Sequence, residues 1–228
     1  MKKILTYFTK FEWFLWLSSI AVIVASFILS PEKSILSFIS SLIGVTALIF
    51  SAKGNPLGQV LMIIFCIMYG IISYSCAYYG ELITYTFMTG PMAVFALISW
   101  LKNPYNGNRS EVKVNRISKN ETLIMILLAL AVTLAFYFIL QAFGTASLVV
   151  STLSVTTSFL AVYLTARRSP YYALAYAAND IVLVILWSVV ALKDPSAIST
   201  LACFAVFLAH DIYGFISWRR MEKRQSAE

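Results

Sequence analysis

Residues 171–192 read YYALAYAANDIVLVILWSVVAL. The stretch is apolar and long enough to cross a bilayer as a helix, which takes about 20 residues. Yet Asn179 and Asp180 stand side by side near its middle. An ionisable side chain at that depth costs about 2.5–3.5 kcal/mol on insertion scales, so it is read as functional before it is read as packing. Helical spacing places Tyr172, Tyr176, Asn179, Leu183 and Trp187 along one stripe, with Asp180 at its edge. A planar, polar, cationic ligand suits such a face.

The surrounding chain is of the same kind. Of 228 residues, 60% are hydrophobic and 12% charged, with a mean hydropathy of +0.82. A soluble protein this apolar would lack the polar surface to cover its core, so the membrane class is indicated. The net charge of +7 falls in short segments between apolar spans, which points to membrane topology rather than to a nucleic-acid partner. Cys66, Cys76 and Cys203 all lie inside apolar spans, odd in number and too scattered for a disulfide framework or a metal set. His210, the single histidine, cannot build a metal site alone. There is no phosphate-binding Gly-rich loop, no His-Glu-x-x-His and no Gly-x-Ser-x-Gly. Neither an enzyme nor a cofactor is expected.

Hydropathy marks eight spans, at 11–29, 35–52, 57–79, 82–101, 121–143, 147–166, 171–192 and 197–218. Met1–Lys10 is basic and precedes an apolar run, as in a signal peptide. That run is long for one, Glu12 sits at its start and no clear small-x-small cleavage site follows it. With the N-terminus in the cytoplasm and eight spans alternating, only Lys33 and Lys193 of the 17 basic residues face outward. The positive-inside rule then puts both termini in the cytoplasm. The loop from Lys102 to Asn120 falls on the same side and carries the turn-rich string NPYNGN.

An internal repeat is visible. SLIGVTA (41–47) is echoed by STLSVTT (151–157), and Lys53-Gly54-Asn55-Pro56 by Arg167-Arg168-Ser169-Pro170. Asn or Ser as N-cap with Pro at the first helical position makes the third and seventh spans begin alike. Ile98-Ser99-Trp100 followed by Lys102 matches Ile216-Ser217-Trp218 followed by Arg219. Three matches in one order define parallel repeats of spans 2–4 and 6–8, joined by span 5, with span 1 added outside. The expected fold class is an all-α membrane protein. Its parts are an N-terminus and extra helix (1–34), a first three-helix repeat (35–101), a loop and linking helix (102–146), a second repeat (147–218) and a basic cytoplasmic tail (219–228). Parallel repeats are a transporter architecture, with the site between the halves near the midplane.

Further polar residues are candidates for a path. Gly90-Pro91 interrupts the fourth span, and a freed carbonyl there signals either a kink or a water-lined cavity. Gln59 can hydrogen-bond a ribose or an amide, or be solvated near the interface. Tyr69 lies deeper and suits either packing or ligand. His210-Asp211 sits about two turns from the end of the eighth span, roughly 10 Å deep at 1.5 Å per residue. The two either lock the bundle as a pair or serve function, and function is favoured.

The chain resembles the PnuC family of vitamin and nucleoside transporters in AKGNPLGQ (52–59), YYGE (78–81), PMAVFALISW (91–100), RRSPYYALAYAANDIVLVILW (167–187) and DIYGFISW (211–218). The resemblance covers almost everything from the second span onward. It implies a three-plus-one-plus-three fold similar to SWEET sugar transporters and a trimeric homo-oligomer in a bacterial plasma membrane. It also implies uptake of nicotinamide riboside by facilitated diffusion, made one-way by a separate cytosolic kinase. The family typically has tryptophans seven and four residues before the seventh-span asparagine. Asn179 matches that asparagine, but the two positions hold Tyr172 and Ala175, and Asp211 stands where an asparagine often precedes Ile-Tyr-Gly. Both departures are at substrate-facing positions.

The substrate is narrowed by charge. No Lys or Arg lies inside a predicted span, whereas a bound phosphate wants a basic partner or a helix N-terminus. The riboside therefore fits better than the mononucleotide. Asp180 or Asp211 can offset its pyridinium charge while Tyr172, Tyr176 and Trp187 stack on the ring. Thiamine fits the same logic; neutral deoxynucleosides and riboflavin fit it less well. The competing readings are proton-coupled transport of a neutral nucleoside, with Asp180 or Asp211 as relay, and a non-transporting subunit that binds a partner protein through its basic loops.

Overall fold

The computed structural model describes residues 7–30, 33–75, 79–145 and 147–227. Lys2, Lys3 and Cys76 lie outside the described residues. Eight helices among the described residues are long and apolar enough to span a membrane. They are α1 (Lys10–Leu29), α2 (Ile35–Ala52), α3 (Leu57–Ser75), α4 (Tyr79–Lys102), α5 (Lys119–Ala142), α6 (Leu148–Ala166), α7 (Tyr172–Ala191) and α8 (Ile198–Ala227).

Local chemistry sets the helix ends. Thr9 and Glu12 form a reciprocal capping box on α1, and Ser34 and Ser118 cap α2 and α5 through the amides of Ser37 and Glu121. Asn55 Oδ1 accepts from the Leu57 amide at 2.9 Å ahead of α3. The turns before α3 and α7 share a left-handed residue, Gly54 at φ 66° and Arg168 at φ 57°. Glycine adopts that conformation without penalty. Arg168 is held in it by its side chain, which donates to Ser99 Oγ at 2.7 Å and to the Lys113 carbonyl at 3.1 Å.

The repeats pack as their sequence symmetry demands. Within each, the first and third helices flank the second: α2–α3–α4 and α6–α7–α8. Between them, α2 packs on α8 and α6 on α4, so each repeat's first helix lies against the other's last. Trp218 Nε1 donates to the Ser51 carbonyl at 2.8 Å, and Trp100 Nε1 to the Thr165 carbonyl at 2.9 Å. Helix α5 rests on α6 and presents Leu127, Leu130, Leu134 and Phe138 outward, as a lipid-facing connector should. Helix α1 braces α2 and α8. Glu12 accepts from Lys53 Nζ at 3.1 Å and from Tyr213 Oη at 2.8 Å, and Trp16 Nε1 reaches Thr46 Oγ1 at 3.2 Å.

Three features depart from expectation. The long loop contains a short β-hairpin, β1 (Pro104–Tyr105) with β2 (Asn108–Val112), added to the expected all-α membrane fold. Its turn is Asn106-Gly107, both at positive φ, which suits a tight hairpin. The basic segment 219–227, expected as a separate tail, continues α8. There Glu222 pairs with Arg116 and Arg219, and Gln225 binds the loop backbone at Val112 and Val114. Finally, the break expected at Gly90-Pro91 is a π-helical turn over Thr84–Thr89, with the Gly90 amide donating to the Tyr85 carbonyl. The extra residue is accommodated just before the proline, and α4 continues through it.

Candidate functional site

Helix α6 carries a buried hydroxyl stripe, Ser151, Ser154 and Ser158; Ser154 and Ser158 face α7, and Ser151 lies by Gly80 of α4. Asn179 of α7 meets it. Its Oδ1 is approached by Thr157 Oγ1 at 2.8 Å, Ser158 Oγ at 3.0 Å and Ser154 Oγ at 3.4 Å. A carbonyl oxygen with two lone pairs is thereby saturated, which fixes the amide's orientation. Asp180, next along, turns away from α6 toward α8. Its carboxyl faces that of Asp211 at hydrogen-bonding range, and both are buried. One Asp180 oxygen, Oδ2, has no hydrogen-bond partner.

This polar belt lies between two aromatic layers. Toward the basic face stand Trp100, Trp218 and Tyr172, with Trp218 to Trp100 centroids at 5.3 Å and Trp218 to Tyr172 at 4.8 Å. Tyr176 continues from Tyr172, at 6.1 Å, toward the aspartates. Toward the opposite face, Tyr69 accepts from Trp187 Nε1 at 3.0 Å. Around it sit Tyr85 at 4.5 Å, Phe204 at 5.4 Å and Phe65 stacked at 5.6 Å. The adjoining small cavity, between Ser40, Phe65, Tyr69 and Cys203, measures about 10 Å³, room for a water molecule rather than a nucleoside.

The residues singled out by sequence thus divide. Asn179, Asp180 and Asp211 come together in the belt, with Tyr176 and Tyr172 leading to it from one side and Trp187 and Tyr69 from the other. Gln59 and His210 do not join them. Gln59 Nε2 lies 3.4 Å from Ser51 Oγ, in the close α2–α3 contact beside the Trp218 indole. His210 faces α1, with Nε2 at 2.9 Å from Ser19 Oγ. Adjacent residues on a helix point about 100° apart, and on α8 that rotation turns His210 to α1 while Asp211 meets Asp180.

Spacing along α7 did not single out Glu81, Tyr85 or the α6 hydroxyls. Glu81 lies inside α4, buried beside Ser154, with Oε2 unpartnered. The expected boundary at residue 82 had set it between two spans. The Ser/Thr spacing of 151–158 held the signal for the α6 stripe. No cluster of His, Cys, Asp and Glu among the described residues is suited to a metal ion.

The comparisons with known proteins agree with this architecture. A solved structure described as the crystal structure of the vitamin B3 transporter PnuC superposes with a TM-score of 0.84 at 22% identity, covering 96% of this chain and 94% of that one. A nicotinamide riboside transporter PnuC from Neisseria mucosa is 25% identical over 227 residues, 96% of this chain and 85% of the relative. Both relatives are transporters, not enzymes. Residues 34–220, from the start of the first repeat to the end of the second, match the profile of the nicotinamide mononucleotide transporter family. With its two three-helix repeats and its interior belt of acids and aromatics, the chain is a multi-pass membrane protein that belongs to this family.

Proposed function

We propose that the protein carries nicotinamide riboside into the cell by facilitated diffusion, and that a separate cytosolic kinase traps it by phosphorylation. One observation carries the choice of substrate. Glu81, Asp180 and Asp211 are all buried within the spans, while every ion pair among the described residues lies at the basic face. Buried acids without a basic partner suit a ligand that brings its own positive charge. A pyridinium ring does so, and Tyr69, Tyr85, Tyr176 and Trp187 offer faces on which it can stack. With Asn179 Oδ1 held by α6, its amide nitrogen is the group left to donate to a ribose or carboxamide oxygen. A phosphate would find no basic side chain in this belt, which favours the riboside over the mononucleotide.

The basic face is the cytoplasmic one in this reading, with both termini inside, because the Lys and Arg residues concentrate there. An inside-negative potential then favours uptake of a monocation by about 2.3 kcal/mol per 100 mV. The test is calorimetric titration of the detergent-purified protein and of Asn179→Ala with nicotinamide riboside, the mononucleotide, thiamine and a deoxynucleoside. Riboside binding that is lost in the variant supports the proposal. Binding of another ligand in its place overturns the substrate, and silence for all four favours a partner-binding subunit.

The facing carboxyls of Asp180 and Asp211 support a second reading, proton-coupled movement of a neutral nucleoside. It requires uptake into liposomes to follow an imposed pH gradient, which uniport of a cation does not.

A further inference from the structure

Glu81 is 2% exposed, and its Oε2 has no hydrogen-bond partner. Ser154 of α6 lies at hydrogen-bonding range of its carboxyl, and Tyr69 and Tyr85 are near enough to feel its charge. Its inward direction depends on the π turn. Trp100 lies 19 residues beyond Glu81, about five helical turns of 3.6 residues plus one residue more. The turn at Thr84–Thr89 absorbs the additional residue, so Glu81, Tyr85, Met88, Ala93, Ala96 and Trp100 share one buried face. In α8 the same five turns from Trp218 are covered by regular helix in 18 residues, and the residue there is Thr200. The neutral counterpart shows that the repeat packing does not require an acid.

The three buried acids differ in their surroundings. Asp180 and Asp211 face each other. Glu81 faces a hydroxyl and the tyrosines of the aromatic layer. A buried carboxylate with no basic partner is costly, and an arriving cation removes the cost where a neutral ring does not.

We infer that Glu81 is a specificity-determining residue, which selects a cationic aromatic ring over a neutral one at the layer formed by Tyr69, Tyr85 and Trp187. The inference rests on the proposed pyridinium substrate and goes beyond it by assigning charge selection to α4, rather than to the aspartates of α7 and α8.

The test compares uptake of nicotinamide riboside with that of its reduced dihydro form, which has nearly the same shape but an uncharged ring. Purified wild type, Glu81→Gln and Glu81→Asp are reconstituted in liposomes. The ratio of the two rates does not depend on how much protein inserts. In Glu81→Gln the ratio of cation to neutral ring should fall about thirtyfold or more, the range for removing one partner of a buried charge pair. Uptake of the dihydro form should persist, and Glu81→Asp should fall between. A Glu81→Gln ratio equal to that of the wild type overturns the inference and leaves the substrate proposal standing. Absence of any preference for the cation in the wild type overturns both. Should Glu81→Gln carry neither molecule, Glu81→Asp decides: a lowered ratio supports the inference and the wild-type ratio overturns it.

Discussion

Trp100 and Trp218 meet ring to ring at 5.3 Å, and each indole donates to a carbonyl at the end of the opposite repeat's first helix. Each repeat therefore closes the other. The two bonds are equivalent under the internal symmetry, since Ser51 and Thr165 each lie five residues before the matching prolines Pro56 and Pro170.

Trp100→Ala and Trp218→Ala should each lower stability by about 3–5 kcal/mol, the range for truncating a buried aromatic. Trp→Phe at either position retains most of the volume and removes the indole donor, at about 1–3 kcal/mol. The symmetric bonding predicts similar losses for the two Phe variants. Unfolding in detergent, followed by intrinsic fluorescence or a thiol-reactive dye, measures this.

Gly58→Ala should be far more harmful than Gly107→Ala. A Cβ on Gly58 would lie 2.6 Å from the Ser51 backbone nitrogen and 2.8 Å from the Ala47 carbonyl, so α2 and α3 would have to separate. Overpacking of that kind costs about 1–3 kcal/mol. Gly107 has open space around it, and only its φ of +74° opposes a side chain, at about 1 kcal/mol. Melting temperatures of the two variants should rank accordingly.

Asp211→Asn gives Asp180 an amide donor in place of a second carboxyl. The melting temperature should rise, because a buried acceptor gains a hydrogen bond worth about 1 kcal/mol or more. Asp180→Asn should do the same from the other side. The double variant should gain less than the sum of the two, which is the sign of direct coupling.

The 103–118 loop is tied to both repeats. The Val112 amide donates to the Gly54 carbonyl and the Asn115 amide to that of Arg168, at 2.9 and 3.0 Å, while Gln225 accepts from Val114 at 2.8 Å. Gln225→Ala should speed hydrogen exchange at Val114 and its neighbours with little change in the spans, as expected for local opening. Val112→Asp, at a fully buried position, should release the loop and expose it to limited proteolysis.

Much of this architecture is legible in the sequence because the bilayer imposes length and hydropathy on every span. The matched Ile-Ser-Trp endings and basic Pro turns then reveal the repeat. Asn179 and Asp180 stand out because polarity at the centre of an apolar run is costly. Glu81 does not, since Tyr78-Tyr79-Gly80 reads equally well as the end of one span and the start of the next. His210 looks like a partner of Asp211 in sequence, but helical rotation turns it to Ser19 of α1. The hairpin is visible only as Asn106-Gly107, because strands this short carry no periodicity. The π turn has no signature beyond the Gly-Pro that follows it.

That single added residue in α4 has a consequence for recognition. Two identical repeats would enclose a chamber with two equivalent walls, and a nucleoside could lie in it in either of two reversed poses. The proposed substrate, nicotinamide riboside, has unlike ends, a charged ring and a neutral, hydroxyl-rich sugar. In the function proposed above, the π turn sets Glu81 inward in the first repeat while the second carries the facing Asp180 and Asp211, so the two repeats offer the ligand unlike acidic walls, one carboxyl among tyrosines and one carboxyl pair.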